Sequence, residues 1–98
     1  MKIQVHSLKF DADQKLIDYI EKKANKLEKY FERVVDGEVI LRLNNDNGVD
    51  NKTVEFKVNL PGSQLFSKEK SSKFETATDQ AIESLRRQLE KYKEKLNP

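Results

Sequence analysis

The chain has 98 residues, of which 37% are charged and 36% hydrophobic, with 19 Lys and Arg against 17 Asp and Glu. That length supports one small sheet-plus-helix core and no more, and a net charge of +2 is too small to argue for a polyanionic partner by bulk charge alone. The absence of cysteine excludes disulfides and thiolate metal sites, and no apolar run approaches the roughly 20 residues that span a bilayer.

The opening MKIQVHSLKF alternates and lacks an apolar signal core. It reads as structure, and the chain as cytoplasmic with no membrane partner. Lys2 to Phe10 is the first strand, with Ile3, Val5, Leu8 and Phe10 as its inward candidates. Asp11 is placed as an N-cap, with Gln14 as its capping-box partner. A helix from about Ala12 to Arg33 follows. At about 100° per residue, Leu16, Ile17, Ile20, Ala24, Leu27 and Phe31 form one stripe and Lys15, Lys22, Lys26, Lys29 and Arg33 another. Asp36-Gly37 is read as the helix breaker.

Glu38 to Leu43 (EVILRL) gives a second strand, with Val39, Leu41 and Leu43 on one face. Asn44 to Lys52 is a polar loop with Asn47-Gly48 at its tip. Thr53 to Leu60 (TVEFKVNL) alternates cleanly, with Val54, Phe56, Val58 and Leu60 inward and Glu55, Lys57 and Asn59 outward. Pro61-Gly62 signals a tight turn. Gln64 to Lys70 is a weaker fourth strand suited to a sheet edge by Lys68 and Lys70. Ser72 to Glu75 forms an S-x-x-E capping box at the start of a second helix, Lys73 to Leu96, which Asn97-Pro98 ends. Its apolar stripe is Phe74, Ala81, Ile82, Leu85, Leu89, Tyr92 and Leu96.

The order β-α-β-β-β-α specifies an α+β fold. A crossover through the first helix makes strands one and two parallel neighbours, and hairpins make the rest antiparallel. Both helices then run the same way on one face of a four-stranded mixed sheet, with their C-terminal ends on one edge. Residues 22–33 hold five cations against two carboxylates, and residues 84–98 the same, so each tail carries a net +3. Side by side they present about +6, a field that attracts phosphate. Helix dipoles also favour cations at those ends, whatever their function. Both helices read apolar, acidic, basic in the same rotational sense. One helix's acids therefore fall beside the other's bases, and part of the charge is spent in pairs such as Glu83 with Arg87. Tyr19, Tyr30 and Tyr92 sit at or beside apolar stripes and read as core or boundary. No strand interleaves aromatics with bases, so recognition of phosphates and of folded shape fits better than single-strand reading.

KLEKYFERV (Lys26 to Val34) and RRQLEKYKEKL (Arg86 to Leu96), on this element order, resemble the bacterial family of short ribosome hibernation-promoting factors and ribosome-associated translation inhibitors. Some of its members are called sigma-factor modulation proteins. The resemblance covers essentially the whole chain and implies a double-stranded-RNA-binding-domain-like fold. It implies docking on small-subunit rRNA in the channel of mRNA and the A- and P-site tRNAs, with translation blocked in stationary phase or stress. By that likeness the RNA-binding residues are Lys22, Lys23, Lys26 and Lys29 on the first helix and Arg86, Arg87, Lys91, Lys93 and Lys95 on the second. Family members often open the second helix with an acidic-x-Tyr pattern, where this chain has Lys73-Phe74-Glu75. The chain is expected to be a single domain over residues 1–98, without the second, dimerising domain of long forms, and a monomer off the ribosome. A separate ribosome-dimerising factor would then be its partner. The lack of an acidic tail points to the hibernation-promoting subtype.

His6 has no second histidine or cysteine to share a metal, and reads as a strand residue. The run Asn44, Asn45, Asp46, Asn47, Gly48 and Asp50 imitates part of a calcium loop but lacks the bidentate glutamate. No nucleophile elbow, phosphate loop or zinc motif is present. No catalytic residue, cofactor or metal is therefore assigned. The rival readings are a protein-interaction module that meets an acidic partner, and a duplex-RNA binder away from the ribosome.

Overall fold

A computed structural model describes residues 1–44 and 50–96. The elements run β1 (Lys2–Leu8), α1 (Gln14–Asn25), a 3₁₀ turn (Lys26–Lys29), β2 (Asp36–Leu43), β3 (Lys52–Leu60), β4 (Ser63–Ser71) and α2 (Phe74–Leu96). The expected hairpin tip at Asn47-Gly48, most of the calcium-like run and the helix end at Asn97-Pro98 lie outside the described residues.

The sheet order is β1-β2-β3-β4, with β1 and β2 parallel and the other pairs antiparallel. It is the mixed sheet expected, and both helices cover one face of it. The alternation of β3 is realised in full: Val54, Phe56, Val58 and Leu60 are buried against the helices. Val39 and Leu41 of β2 and Leu65 of β4 join them, under Ile20, Ala24 and Leu27 and under Ala77, Ala81, Leu85 and Leu89. Ala77 and Ala81 have no side chain beyond Cβ, so α2 can lie close on β3 and β4.

Several boundaries differ from the sequence reading, each for a local reason. Lys9 takes φ +66 and turns the chain out of the sheet, so β1 ends at Leu8. Leu8 faces solvent, while Phe10 stacks on Phe74 with ring centroids 5.2 Å apart. The cap of α1 is Asp13, not Asp11: its Oδ1 accepts the Leu16 N–H at 2.8 Å, and Gln14 instead donates to Asp18. The α-helix ends at Asn25 rather than Arg33 and tightens into the 3₁₀ turn. At three residues per turn this stacks Leu27 over Ala24, keeping both buried. The β-branched pair Val34-Val35 then favours extended chain, and the Val35 N–H donates to the Asn59 carbonyl at 2.9 Å, next to β2.

Asp36-Gly37 is therefore not a helix breaker but the start of β2. A Cβ on Gly37 would stand 2.8 Å from Ile3 Cδ1, so the missing side chain makes room for β1. Leu43, at the strand end, is exposed. The Pro61-Gly62 turn is present, with Gly62 at the φ of +71 that a type II turn requires. α2 begins at Phe74. The Lys73 carbonyl accepts the Ala77 N–H, so Lys73 rather than Ser72 holds the cap position.

The free edge of β4 is partly covered. The Gln88 side-chain amide donates to the Phe66 carbonyl at 2.8 Å and accepts the Phe66 N–H at 3.4 Å, imitating one rung of a further strand.

Candidate nucleic-acid interface

The two C-terminal tails do meet. Phe31 and Tyr92 pack edge-to-face, with centroids 5.4 Å apart, and Lys93 Nζ donates to the Tyr30 carbonyl at 2.7 Å. About three helical turns earlier on α1 and four on α2, Tyr19 of α1 donates its hydroxyl to Asp79 of α2 at 2.7 Å, and Lys23 lies 3.7 Å from the same carboxylate. The helices are thus parallel neighbours, tied along one seam.

These contacts fix how α2 is rotated. Asp79, Arg86 and Lys93 lie on the flank toward α1, while Gln88 lies on the flank toward the edge of β4. At about 100° per residue, Lys91 and Lys95 fall toward Gln88, Glu83, Glu90 and Glu94 along the crest between the two flanks, and Arg87 at the border of that crest and the outer flank.

The nine residues assigned by the family likeness therefore separate into groups. Lys22, Lys26 and Lys29 are exposed on α1 and its 3₁₀ turn; Lys91 and Lys95 are exposed on the outer flank of α2, and Arg87 at the border of that flank and the crest. The other three are engaged within the fold. Lys23 pairs with Asp79 and lies 5.4 Å from the centroid of the Tyr19 ring. Arg86 binds Glu83 at 2.5 Å and Glu90 at 2.7 Å. Lys93 holds the Tyr30 carbonyl. So the tails adjoin as expected, but the charge forms two cationic rims about an acidic crest that Arg86 neutralises in part. The direct partner of Glu83 is Arg86 rather than Arg87. The hydrogen bond from Arg86 holds the Glu83 carboxyl below the usual carboxylate range, with Arg87 adding a weaker pull.

The tyrosines also separate. The hydrogen bond to Asp79, then burial and the charges of Asp79 and Glu75, push the Tyr19 phenol up to about 12. Tyr92 is half-buried and its hydroxyl donates to the Pro61 carbonyl. Tyr30 is neither core nor boundary: it is 43% exposed. Sequence reasoning missed its exposure; Arg33, counted in the basic stripe but not among the residues assigned by likeness, has its guanidinium 5.5 Å from the centroid of the Phe31 ring. The adjacency Tyr30-Phe31 was an available signal, since neighbouring helical side chains diverge by about 100° and it is Phe31, not Tyr30, that continues the stripe of Ala24 and Leu27. At the start of α2, Phe74 is buried and Glu75 exposed.

Two layers, a sheet roofed by two tied helices with cations along their exposed sides, define a small α+β binding domain. The chain belongs to the Sigma 54 modulation protein / S30EA ribosomal protein family, whose model matches residues 3–97. It is 31% identical over 97 residues to a ribosome hibernation promotion factor of Bacillus subtilis, covering 99% of this chain and 51% of that protein. To the factor of the same name from Deinococcus radiodurans it is 28% identical over 91 residues, covering 92% and 48%. The chain thus spans about half the length of these curated relatives. A solved ribosomal subunit interface protein from Coxiella burnetii superposes with a TM-score of 0.84 at 27% identity, covering 95% of this chain and 98% of that one.

Proposed function

We propose that this domain is a ribosome hibernation factor. It docks on rRNA of the small subunit, in the channel of mRNA and the A- and P-site tRNAs, and so inhibits translation in stationary phase or stress. Membership of the family and the names of its relatives support a role in ribosome hibernation, acting in the cytoplasm with the ribosomes, by binding and not by catalysis. The observation that carries the RNA reading is the junction of the two helix tails, which sets Lys26 and Lys29 on one side and Lys91 and Lys95 on the other of a single helical surface. Folded rRNA offers phosphates in more than one row, so two rims suit it better than one patch would suit a single strand.

Co-sedimentation with purified small subunits, with tRNA as competitor, tests this. The protein should pellet with the subunits and be displaced by tRNA. Binding that tRNA leaves unchanged would count against the channel, and failure to pellet against ribosomal RNA altogether.

A further inference from the structure

We propose that the cleft where the helix tails meet is a nucleotide subsite, in which Tyr30 stacks on an unpaired base of the bound RNA while Arg33 and Lys93 hold its phosphate. This rests on the RNA reading above and names a contact within it.

The cleft has a volume of about 280 Å³ and is lined by Tyr30, Phe31, Glu32, Arg33, Lys93 and Leu96. That lies just below the ~300–1,000 Å³ of pockets that enclose a whole small ligand, so it suits one planar group of a larger one. Tyr30 and Leu96 are both 43% exposed there, an uncovered apolar wall beside cations. A base offers such a wall a π-face, and any base will serve. The phosphate partners are already oriented. The Arg33 guanidinium lies 5.5 Å from the centroid of the Phe31 ring, a cation–π distance that leaves its N–H fork for an anion. Lys93 spends one of its three donors on the Tyr30 carbonyl and keeps two. Glu32 repels phosphate from its own side and can accept from an amino group on a base edge, which sets the polarity of the occupant. Within a duplex the base faces are stacked, so the occupant is a base from a loop, bulge or unpaired strand.

The test is affinity for purified small subunits across a salt series, with thermal unfolding recorded for every variant. Tyr30→Ala should weaken binding about ten- to a hundredfold, the range of one lost base–aromatic stack. The slope of log affinity against log salt should not change, because no charge is lost. Tyr30→Phe should bind like the parent. Arg33→Ala should reduce the slope by about one. Unchanged affinity in Tyr30→Ala, or equal losses in the Ala and Phe variants, would overturn the stacking subsite. In either case, continued binding by the parent, weakened by Lys91→Glu with Lys95→Glu, would leave the RNA reading standing. A parent that does not bind small subunits would remove both.

Discussion

Lys93 on α2 reaches across to the backbone carbonyl of Tyr30, 2.7 Å away, just beyond the 3₁₀ turn. A carbonyl past the end of one helical segment is thus satisfied by a cation from the other helix, in place of a cap of its own. The contact brings the two tails to one place, and it withdraws Lys93 in part from the surface. Of the nine cations assigned by likeness, those that remain exposed, Lys22, Lys26 and Lys29 on one side and Arg87, Lys91 and Lys95 on the other, are the ones most open to a phosphate backbone.

The double substitution Lys91→Glu with Lys95→Glu should separate binding from folding. Both side chains are exposed on the outer flank of α2. Loss of their favourable interaction with the helix C-terminus should cost about 1 kcal/mol or less in thermal or denaturant unfolding. Binding to small subunits should weaken by at least about tenfold, with the salt slope reduced by about two. Wild-type affinity in this variant would remove the outer flank from the interface.

Arg86 and Arg87 are neighbours in sequence and should behave differently. Arg86 is committed to Glu83 and Glu90, whereas Arg87 is exposed. Arg87→Ala should lower the salt slope by about one. Arg86→Ala should lower it less and should instead reduce helix content, since it frees two crest carboxylates from their pair. Circular dichroism and binding measured on the same samples check both outcomes.

The seam between Tyr19 and Asp79 makes a spectroscopic prediction. The Tyr19 phenol has its pKa raised from 10.0 to about 12. A folded value above the unfolded one means that the neutral form is the stabilised one. Its contribution is fully present below about pH 10 and is lost as pH rises through about 12. Ultraviolet titration of tyrosinate should therefore show a late component near pH 12. Asp79→Asn should move it down toward the ordinary value, and Tyr19→Phe should abolish it.

What the sequence made legible follows the strength of its periodicity. TVEFKVNL alternates without exception, and β3 buries the four residues that its pattern selects. The stripe Ala81, Leu85, Leu89 likewise falls on the core face of α2. Features set by tertiary contact were not legible. Nothing local distinguishes Asp11 from Asp13 as a cap, because the choice depends on where Lys9 turns the chain. The pattern from Ala12 to Arg33 continues smoothly, yet the segment tightens after Asn25 and then unwinds, so that Val35 reaches Asn59 and Asp36 pairs with Lys2. In the site, charge and its position along each helix were legible, and the meeting of the tails followed from topology. The division of the cations into exposed and engaged was not, because it depends on the rotation of α2, which Gln88 and Asp79 anchor from opposite flanks. Tyr30 was obscured by the same dependence.

The most direct test of the central claim is a cryo-EM map of small ribosomal subunits mixed with this protein. The account predicts density for the domain in the channel of mRNA and tRNA, with the joined tails of α1 and α2 against rRNA phosphates. Density elsewhere on the subunit, or the domain turned so that the outer face of its sheet meets the RNA, would contradict it.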